Sequence, residues 1–173
     1  VADNLEITAV ELDPELARMY QERFPNDNVI VADAHQYLLD HYQEYDFIWS
    51  SPPCPTHSRA RYWGFGANGK NPTYPDMKLY QEIIFLQHHC KGKYVVENVI
   101  PYYEPMFNPI KRDRHLYWTN FKLPNILNGR VKNFGDSKNG STETLESWSK
   151  FHDYDFTKYK GNQLVLKIAR NLV

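Results

Sequence analysis

Short apolar runs and helical patterns alternate along the first half of the chain. The run over residues 6–10 predicts a strand that ends in Glu11. Asp13 and Pro14 then supply an N-cap and a first-turn proline, so a helix is expected to follow. The apolar positions of that helix fall on one face and are Leu16, Met19, Tyr20 and Phe24.

Further apolar runs predict strands over residues 29–32, 47–49, 94–96 and 115–121. Helical patterns lie between the first two of these runs and between the second and third, the latter with Asp76 as its expected N-cap. Strands that alternate with helices predict an α/β fold with a mostly parallel sheet and flanking helices.

The length of 173 residues, with 42% apolar side chains, suits one well-buried domain. The sequence has no run of about 18 apolar residues and no signal-peptide pattern at its start, so neither a membrane span nor a secretory leader is predicted. Cys54 and Cys90 are the only cysteines and do not form a CxxC pair, which favours a reducing compartment. We therefore expect a soluble cytoplasmic protein.

The net charge of −1 conceals an uneven distribution. Residues 1–46 contain 11 of the 21 acidic residues and 2 of the 20 basic ones, a net charge of −9. The rest of the chain contains the other 10 acidic and 18 basic residues, a net charge of +8. The basic part could face a polyanion, although solvated surface charge accounts for it equally well.

Polar residues follow four of the predicted strands, and they are Glu11, Asp33, Cys54 and Glu97. In open α/β sheets, ligands bind outside the carboxyl ends of the strands. These four side chains therefore mark the expected site.

Glu11 and Asp33 have the chemistry of nucleotide contacts. In dinucleotide-type sites a carboxylate binds the ribose hydroxyls about 20 residues beyond a glycine-rich turn. No such turn precedes Glu11 in this sequence, so we expect a first strand, its glycine turn and a first helix to be missing from it. Glu11 could otherwise be a surface carboxylate, and Asp33 could bind an adenine amino group or only cap a helix.

Cys54 and Glu97 have the chemistry of a nucleophile and an acid. Two prolines before Cys54 fix the backbone beside the thiol, although a small buried thiol is the alternative. Glu97 follows a buried strand and could share a proton with a substrate ring or form an ion pair with an arginine. Arg112 and Arg114 would share one face of an extended segment and could hold a substrate carbonyl, the acid or phosphates; a solvated charged turn is the alternative.

Three motifs carry a family resemblance. Ser51-Pro52-Pro53-Cys54, Glu97-Asn98-Val99 and Arg112-Asp113-Arg114 occur in this order. They resemble the Pro-Cys, Glu-Asn-Val and Arg-x-Arg motifs of 5-methylcytosine DNA methyltransferases. With the two strand-end acids and Gly161-Asn162, the resemblance covers most of the chain.

The resemblance implies the Rossmann-like fold of S-adenosylmethionine-dependent methyltransferases. Glu11 would then bind the cofactor ribose and Asp33 its adenine. The remaining implied cofactor contacts are Leu12, Ala34, Pro53 and Asn162, the last at the start of a C-terminal helix.

The implied reaction methylates C5 of a cytosine that has been swung out of the DNA helix. Cys54 would add covalently to C6 and make the ring nucleophilic at C5. Glu97 would bind the amino group and N3 of the base, Arg114 would hold O2, and Arg112 would support the site. No metal ligand is part of this set.

The resemblance also implies a surface for DNA. The long, glycine-rich loop over residues 55–75 would close over the substrate. The residues predicted to contact DNA are Ser58, Arg59, Arg61, Lys70, Arg130 and Lys132. The implied organisation is a catalytic core over residues 1–121, a small target-recognition-like insert over 122–160 and a returning helix over 161–173. A bacterial or phage restriction-modification enzyme is the expected setting.

The chain departs from the family pattern at Pro55, where Gln is usual, and at His57, where an aromatic residue is frequent. Its insert is also shorter than the usual target-recognition domain. Four alternatives stay open. They are an inactive DNA-binding accessory subunit, one chain of a split enzyme whose companion supplies the glycine motif, a tRNA methyltransferase, and a thiol hydrolase that pairs Cys54 with His57 or His115.

Overall fold

A computed structural model describes residues 5–59, residues 71–124 and residue 155 of the chain. The chain divides into two compact units, one with residues 1–31 and 126–173 and the other with residues 32–125. The predictions for the helix over 161–173 and for several single residues lie outside the described part; the residues are Arg61, Lys70, Arg130, Lys132 and Asn162.

The described part of the first unit is a strand, a helix and a parallel strand. These are β1 (Thr8–Glu11), α1 (Pro14–Arg23) and β2 (Asn28–Val31). Asp13 caps α1 and accepts the Glu15 amide at 3.0 Å, as its position before Pro14 predicted. The side chains that α1 buries are Leu16, Ala17 and Met19. The predicted strand–helix–strand order is confirmed.

The described part of the second unit contains two α-helices, a short 3-10 helix over Tyr42–Glu44 and four strands. In chain order the α-helices and strands are α2 (Ala34–His41), β3 (Phe47–Ser50), α3 (Lys78–His89), β4 (Lys93–Val99), β5 (Ile110–Arg112) and β6 (His115–Thr119). Across the described ranges, no helix combines the length and the apolar character needed to cross a membrane.

The start of α3 differs from the prediction by one residue. Met77 occupies the N-cap position and its side chain makes no capping hydrogen bond. Asp76 nevertheless accepts the amide of Lys78 at 3.0 Å, so its carboxylate still satisfies one amide at this helix end.

The four strands form one mixed sheet in the order β3-β4-β6-β5. β3 and β4 are parallel, with Ser50 opposite Val96, whereas β6 is antiparallel to both β4 and β5. The expectation of a mostly parallel sheet is therefore wrong for this unit. The tight turn between β5 and β6, where Asp113 has a φ of 45°, explains one of the two antiparallel pairings, because a connection that short can only join antiparallel strands. β5 was not predicted, since three residues are too few to show an alternating pattern.

The apolar core of this unit lies between α3 and one face of the sheet. From the helix it takes Leu79, Tyr80, Ile83 and Leu86, and from the strands Ile48, Tyr94, Val96, Leu116 and Trp118. Tyr94, Val95 and Val96 are all buried, so the prediction of a buried strand here is confirmed. This packing holds the parallel pair β3–β4 and fixes the edge at which both strands end.

Candidate active site

The ends of β3 and β4 bring two of the predicted motifs together. Ser51 Oγ donates to Glu97 Oε2 at 3.0 Å, and Asn98 Nδ2 donates to the Pro52 carbonyl at 2.9 Å. Asn98 is only 3% exposed, so its amide group is committed to this contact. The segment that leads into Cys54 is thus docked on the strand end that carries Glu97.

Cys54 lies in a tight turn directly after this docked segment. Its carbonyl oxygen accepts the amides of His57 at 3.0 Å and Ser58 at 3.1 Å. The residue is partly exposed and is not part of a disulfide. A partly exposed cysteine on a pinned turn is what a nucleophile needs, and the reading of Cys54 as a buried apolar residue is less consistent with this exposure.

His57 anchors the far side of the turn. It is fully buried, and its Nδ1 is hydrogen-bonded to the hydroxyl of Tyr103, which also accepts a hydrogen bond of 3.3 Å from Tyr80 Oη. Burial lowers the pKa of His57, partly offset by the backbone and charge of Asp76. Burial also raises the pKa of the Tyr103 hydroxyl, with Tyr80 adding to the shift. This neutral cluster is structural, and it was not predicted from the sequence because its members come from three separate segments.

The backbone of the same turn is held as well. Tyr102 donates its amide to the His57 carbonyl at 3.2 Å, and Thr56 Oγ1 accepts the amide of Asp76 at 2.9 Å. Two of the predicted DNA contacts take part, since Ser58 forms a β-bridge with Pro101 and Arg59 Nε donates to the Pro101 carbonyl at 3.2 Å. The first residues of the predicted loop are therefore held by several hydrogen bonds to neighbouring segments.

Glu97 is a half-buried carboxylate with partners on both oxygens. Besides Ser51 on Oε2, His115 Nε2 lies 3.4 Å from Oε1. Tyr117 is its cross-strand neighbour, and burial, followed by the charge of Glu97 and of Asp113, raises the pKa of this tyrosine. In the described ranges the basic side chain beside the Glu97 carboxylate is a histidine rather than one of the arginines.

Both histidines considered for a thiol hydrolase have one ring nitrogen engaged by another residue. The Nδ1 of His57 is committed to Tyr103 inside the core, and the Nε2 of His115 faces Glu97. A general base for a thiol needs a ring nitrogen within reach of the sulfur. In each of these histidines, the nitrogen named above is engaged by a partner other than Cys54.

Arg112 and Arg114 do not share one face of an extended strand. Arg112 ends β5, and Asp113 and Arg114 form the turn that follows, so the expected alternation is wrong. Arg112 Nη1 donates to the Lys111 carbonyl at 3.1 Å, while its buried Nε meets no acceptor among the described residues. The Arg114 carbonyl accepts the Ile100 amide at 3.3 Å and fixes the turn beside the end of β4.

In the first unit, Glu11 stands at the end of β1. Its Oε1 accepts the amide of Asp13 at 2.9 Å and so braces the turn into α1. Leu12, between them, is 68% exposed. An exposed apolar side chain beside a carboxylate is consistent with a nucleotide contact.

In the second unit, Asp33 is the N-cap of α2. Its Oδ1 accepts the amides of His35 at 2.9 Å and Gln36 at 3.4 Å, and Lys78 Nζ lies 3.6 Å from Oδ2. The backbone amides, and less strongly Lys78, lower the pKa of this exposed carboxyl. The capping role is confirmed, and Ala34 begins the helix with an exposed face.

Glu82 was also not predicted as a residue near the site. This residue of α3 is 5% exposed and contacts both His35 and Ser50. The pattern that could have identified it is a carboxylate among the apolar core positions of a predicted helix, because such a group requires hydrogen-bond partners when it is buried.

Comparison with known protein families identifies a match over the first part of the chain. A family model described as C-5 cytosine-specific DNA methylase matches residues 5–102, which include the Cys54 turn and Glu97. No curated protein and no solved structure matches the chain.

Proposed function

This chain belongs to the C-5 cytosine-specific DNA methylase family, and we propose that it transfers a methyl group to C5 of a cytosine in DNA through a covalent adduct with Cys54. The observation that carries the proposal is the docking of the Cys54 segment on the strand that bears Glu97. Ser51 and Pro52 are bonded to Glu97 and Asn98 at 3.0 and 2.9 Å. A nucleophile and a carboxyl from separate segments thus share one edge of the sheet.

The family uses S-adenosylmethionine, and each strand-end acid, considered within its own unit, has the chemistry of a contact to that group. Asp33 is an exposed carboxylate of lowered pKa, and its Lys78 partner at 3.6 Å is too distant for a strong hydrogen bond, so Oδ2 can accept an adenine amino group. Glu11 uses Oε1 to hold its own turn, and Oε2 would accept the ribose hydroxyls. When bound, the cofactor supplies an electrophilic methyl group.

The chemistry follows from the residues at the ends of β3 and β4. The Cys54 thiolate adds to C6 of the flipped base and forms an S–C6 bond, while the ring electrons move toward N3 and C5. Glu97 hydrogen-bonds N3 and the amino group and balances the charge that develops there. C5 then takes the methyl group, its proton leaves to a base, and the S–C6 bond breaks to return the thiolate.

Arg114 and Arg112 are proposed to hold and support the base. Arg114 stands in the turn beside the end of β4, where a guanidinium could donate to O2 of the ring. The buried Nε of Arg112 is a donor that lacks an acceptor in the described part of the chain, which a bound group could supply.

The Rossmann-like fold is proposed for the catalytic part over residues 1–121. Its support is local: β1 and β2 are parallel and joined through α1, and β3 and β4 are parallel and joined through α3. Strand–helix–strand units with parallel strands are the repeating element of that fold.

A trapping experiment tests the proposal. The protein is incubated with S-adenosylmethionine and duplex DNA in which 5-fluorocytosine replaces cytosine, because fluorine at C5 prevents the final elimination. We expect a denaturation-resistant protein–DNA adduct that maps to Cys54 by mass spectrometry. Cytosine DNA should give methylation without a lasting adduct. Trapping on tRNA alone would favour the tRNA alternative, and DNA binding without any adduct would favour an accessory subunit.

A further inference from the structure

A buried carboxylate links the two strand-end turns of the second unit. Glu82, in α3, is 5% exposed and lies between buried apolar neighbours along the helix. Its Oε1 is 2.9 Å from His35 Nδ1, and its Oε2 accepts the hydroxyl proton of Ser50. Burial of a carboxylate is costly unless it is fully hydrogen-bonded, and here each oxygen has a partner from a distant segment.

Each partner leads directly to a residue of the proposed site. Ser50 is the last residue of β3 and precedes Ser51, which donates to Glu97. His35 lies in the first turn of α2 and donates its backbone amide to Asp33 Oδ1 at 2.9 Å. One side chain is thus bonded to the last residue of the strand that leads to the nucleophile and to the helix turn that carries the proposed adenine contact.

Packing alone does not explain an acid at this position. The neighbouring buried positions of α3 are all apolar or aromatic, and an apolar residue in place of a buried ionic group is often neutral or stabilising. The proposed chemistry does not use Glu82 either. What its two bonds do is restrict how the β3 turn and the start of α2 can shift relative to α3.

We propose that Glu82 is a positioning residue that holds the Cys54 turn and the Asp33 turn in the relative arrangement that methyl transfer requires. This inference rests on the proposed function for its catalytic readout. Displacement of reacting groups by about 1 Å can reduce a rate by on the order of a hundredfold. Loss of Glu82 should therefore lower kcat while DNA binding stays nearly unchanged.

The test compares Glu82→Leu with Gln81→Leu, which places the same side chain on the adjacent exposed position of α3. We expect Glu82→Leu to keep a cooperative thermal transition and to lose kcat by about tenfold or more, with little change in KM for DNA. Gln81→Leu should match the unaltered protein. Glu82→Gln, which retains the volume and one accepting oxygen, should recover part of the rate.

A second measurement keeps the inference independent of methylation. The rate of alkylation of Cys54 by iodoacetamide, relative to Cys90 in the same sample, should change in Glu82→Leu and in Ser50→Ala by a similar factor. The double variant should show the same change in the Cys54:Cys90 alkylation ratio as Glu82→Leu alone, because both substitutions break the same Glu82–Ser50 hydrogen bond. Additive effects, or a Cys54:Cys90 ratio equal to that of the unaltered protein, would overturn the inference. If no variant and no unaltered protein methylates DNA, the proposed function fails while the alkylation result still decides the role of Glu82.

Discussion

Ser51 Oγ donates a hydrogen bond of 3.0 Å to Glu97 Oε2 across the ends of two parallel strands. Ser51 Oγ also accepts the indole N–H of Trp49 at 3.0 Å. Its single hydroxyl proton is therefore directed at the carboxylate. The side chain of Glu97 is thereby oriented before any substrate binds.

Removal of this hydrogen bond should slow methyl transfer. In Ser51→Ala, Glu97 loses the donor on Oε2, and we expect kcat to fall by about tenfold, the equivalent of about 1.4 kcal/mol for a hydrogen bond to a charged group. Single-turnover kinetics on duplex DNA would measure the change. Ser51→Thr keeps the hydroxyl and should stay close to the original rate; an equal loss in both variants would contradict the assigned role.

The nucleophile assignment predicts an asymmetry between the two cysteines. Cys54→Ser should abolish the adduct with 5-fluorocytosine DNA and lower methylation by on the order of a thousandfold or more, since a hydroxyl is a far weaker nucleophile than a thiolate. Cys90→Ser is the matched control, because Cys90 follows α3 and its thiol lies 3.7 Å from the Gly92 carbonyl. Persistence of the adduct in Cys54→Ser would remove the basis of the mechanism.

Asn98 should contribute mainly to stability. Asn98→Ala deprives the Pro52 carbonyl of its buried donor, which we expect to cost about 1–3 kcal/mol in the free energy of unfolding. Asn98→Asp has nearly the same shape but presents acceptors to that carbonyl, so its loss at neutral pH should be at least as large. Urea unfolding followed by circular dichroism measures both, and an Asn98→Asp protein of unchanged stability would show that the contact is dispensable.

The capping and adenine roles of Asp33 can be separated. Asparagine is also a good N-cap, so Asp33→Asn should keep α2 and the thermal midpoint while it weakens S-adenosylmethionine binding through the changed acceptor. Asp33→Ala should impair both. Isothermal titration calorimetry and thermal unfolding together report the two effects. If Asp33→Asn bound S-adenosylmethionine with unchanged affinity, capping of α2 would be the only role of Asp33 that the experiment supports.

The buried imidazole of His57 predicts a pH dependence of stability. Because burial lowers its pKa below the ordinary 6.5, the unfolded chain takes up a proton that the folded chain refuses as the pH falls below 6.5. Stability should therefore decrease from about pH 7.5 to about pH 5.5 in the unaltered protein and decrease less in His57→Gln, as urea unfolding at both pH values would show. If His57→Gln lost as much stability over this pH range as the unaltered protein, other groups would set the pH dependence of stability.

The sequence by itself determined the strand–helix order, the Asp13 and Asp33 caps and the polar residues at the strand ends. These features depend on spacing within a few residues, so apolar periodicity and capping chemistry are sufficient to locate them. The Ser51-to-Cys54 and Glu97-to-Val99 motifs likewise indicated the family before the fold was known.

Only the tertiary structure decided the sheet topology and the contacts that hold the site. The link between Ser51 and Glu97 and the link between His57 and Tyr103 each join residues 46 positions apart, and Glu82 reaches residues 32 and 47 positions away. The β5–β6 hairpin, in turn, depends on the left-handed backbone of Asp113. No local pattern specifies such pairings, because they arise when α3 and the strands pack around a common core and bring distant polar groups within hydrogen-bonding distance.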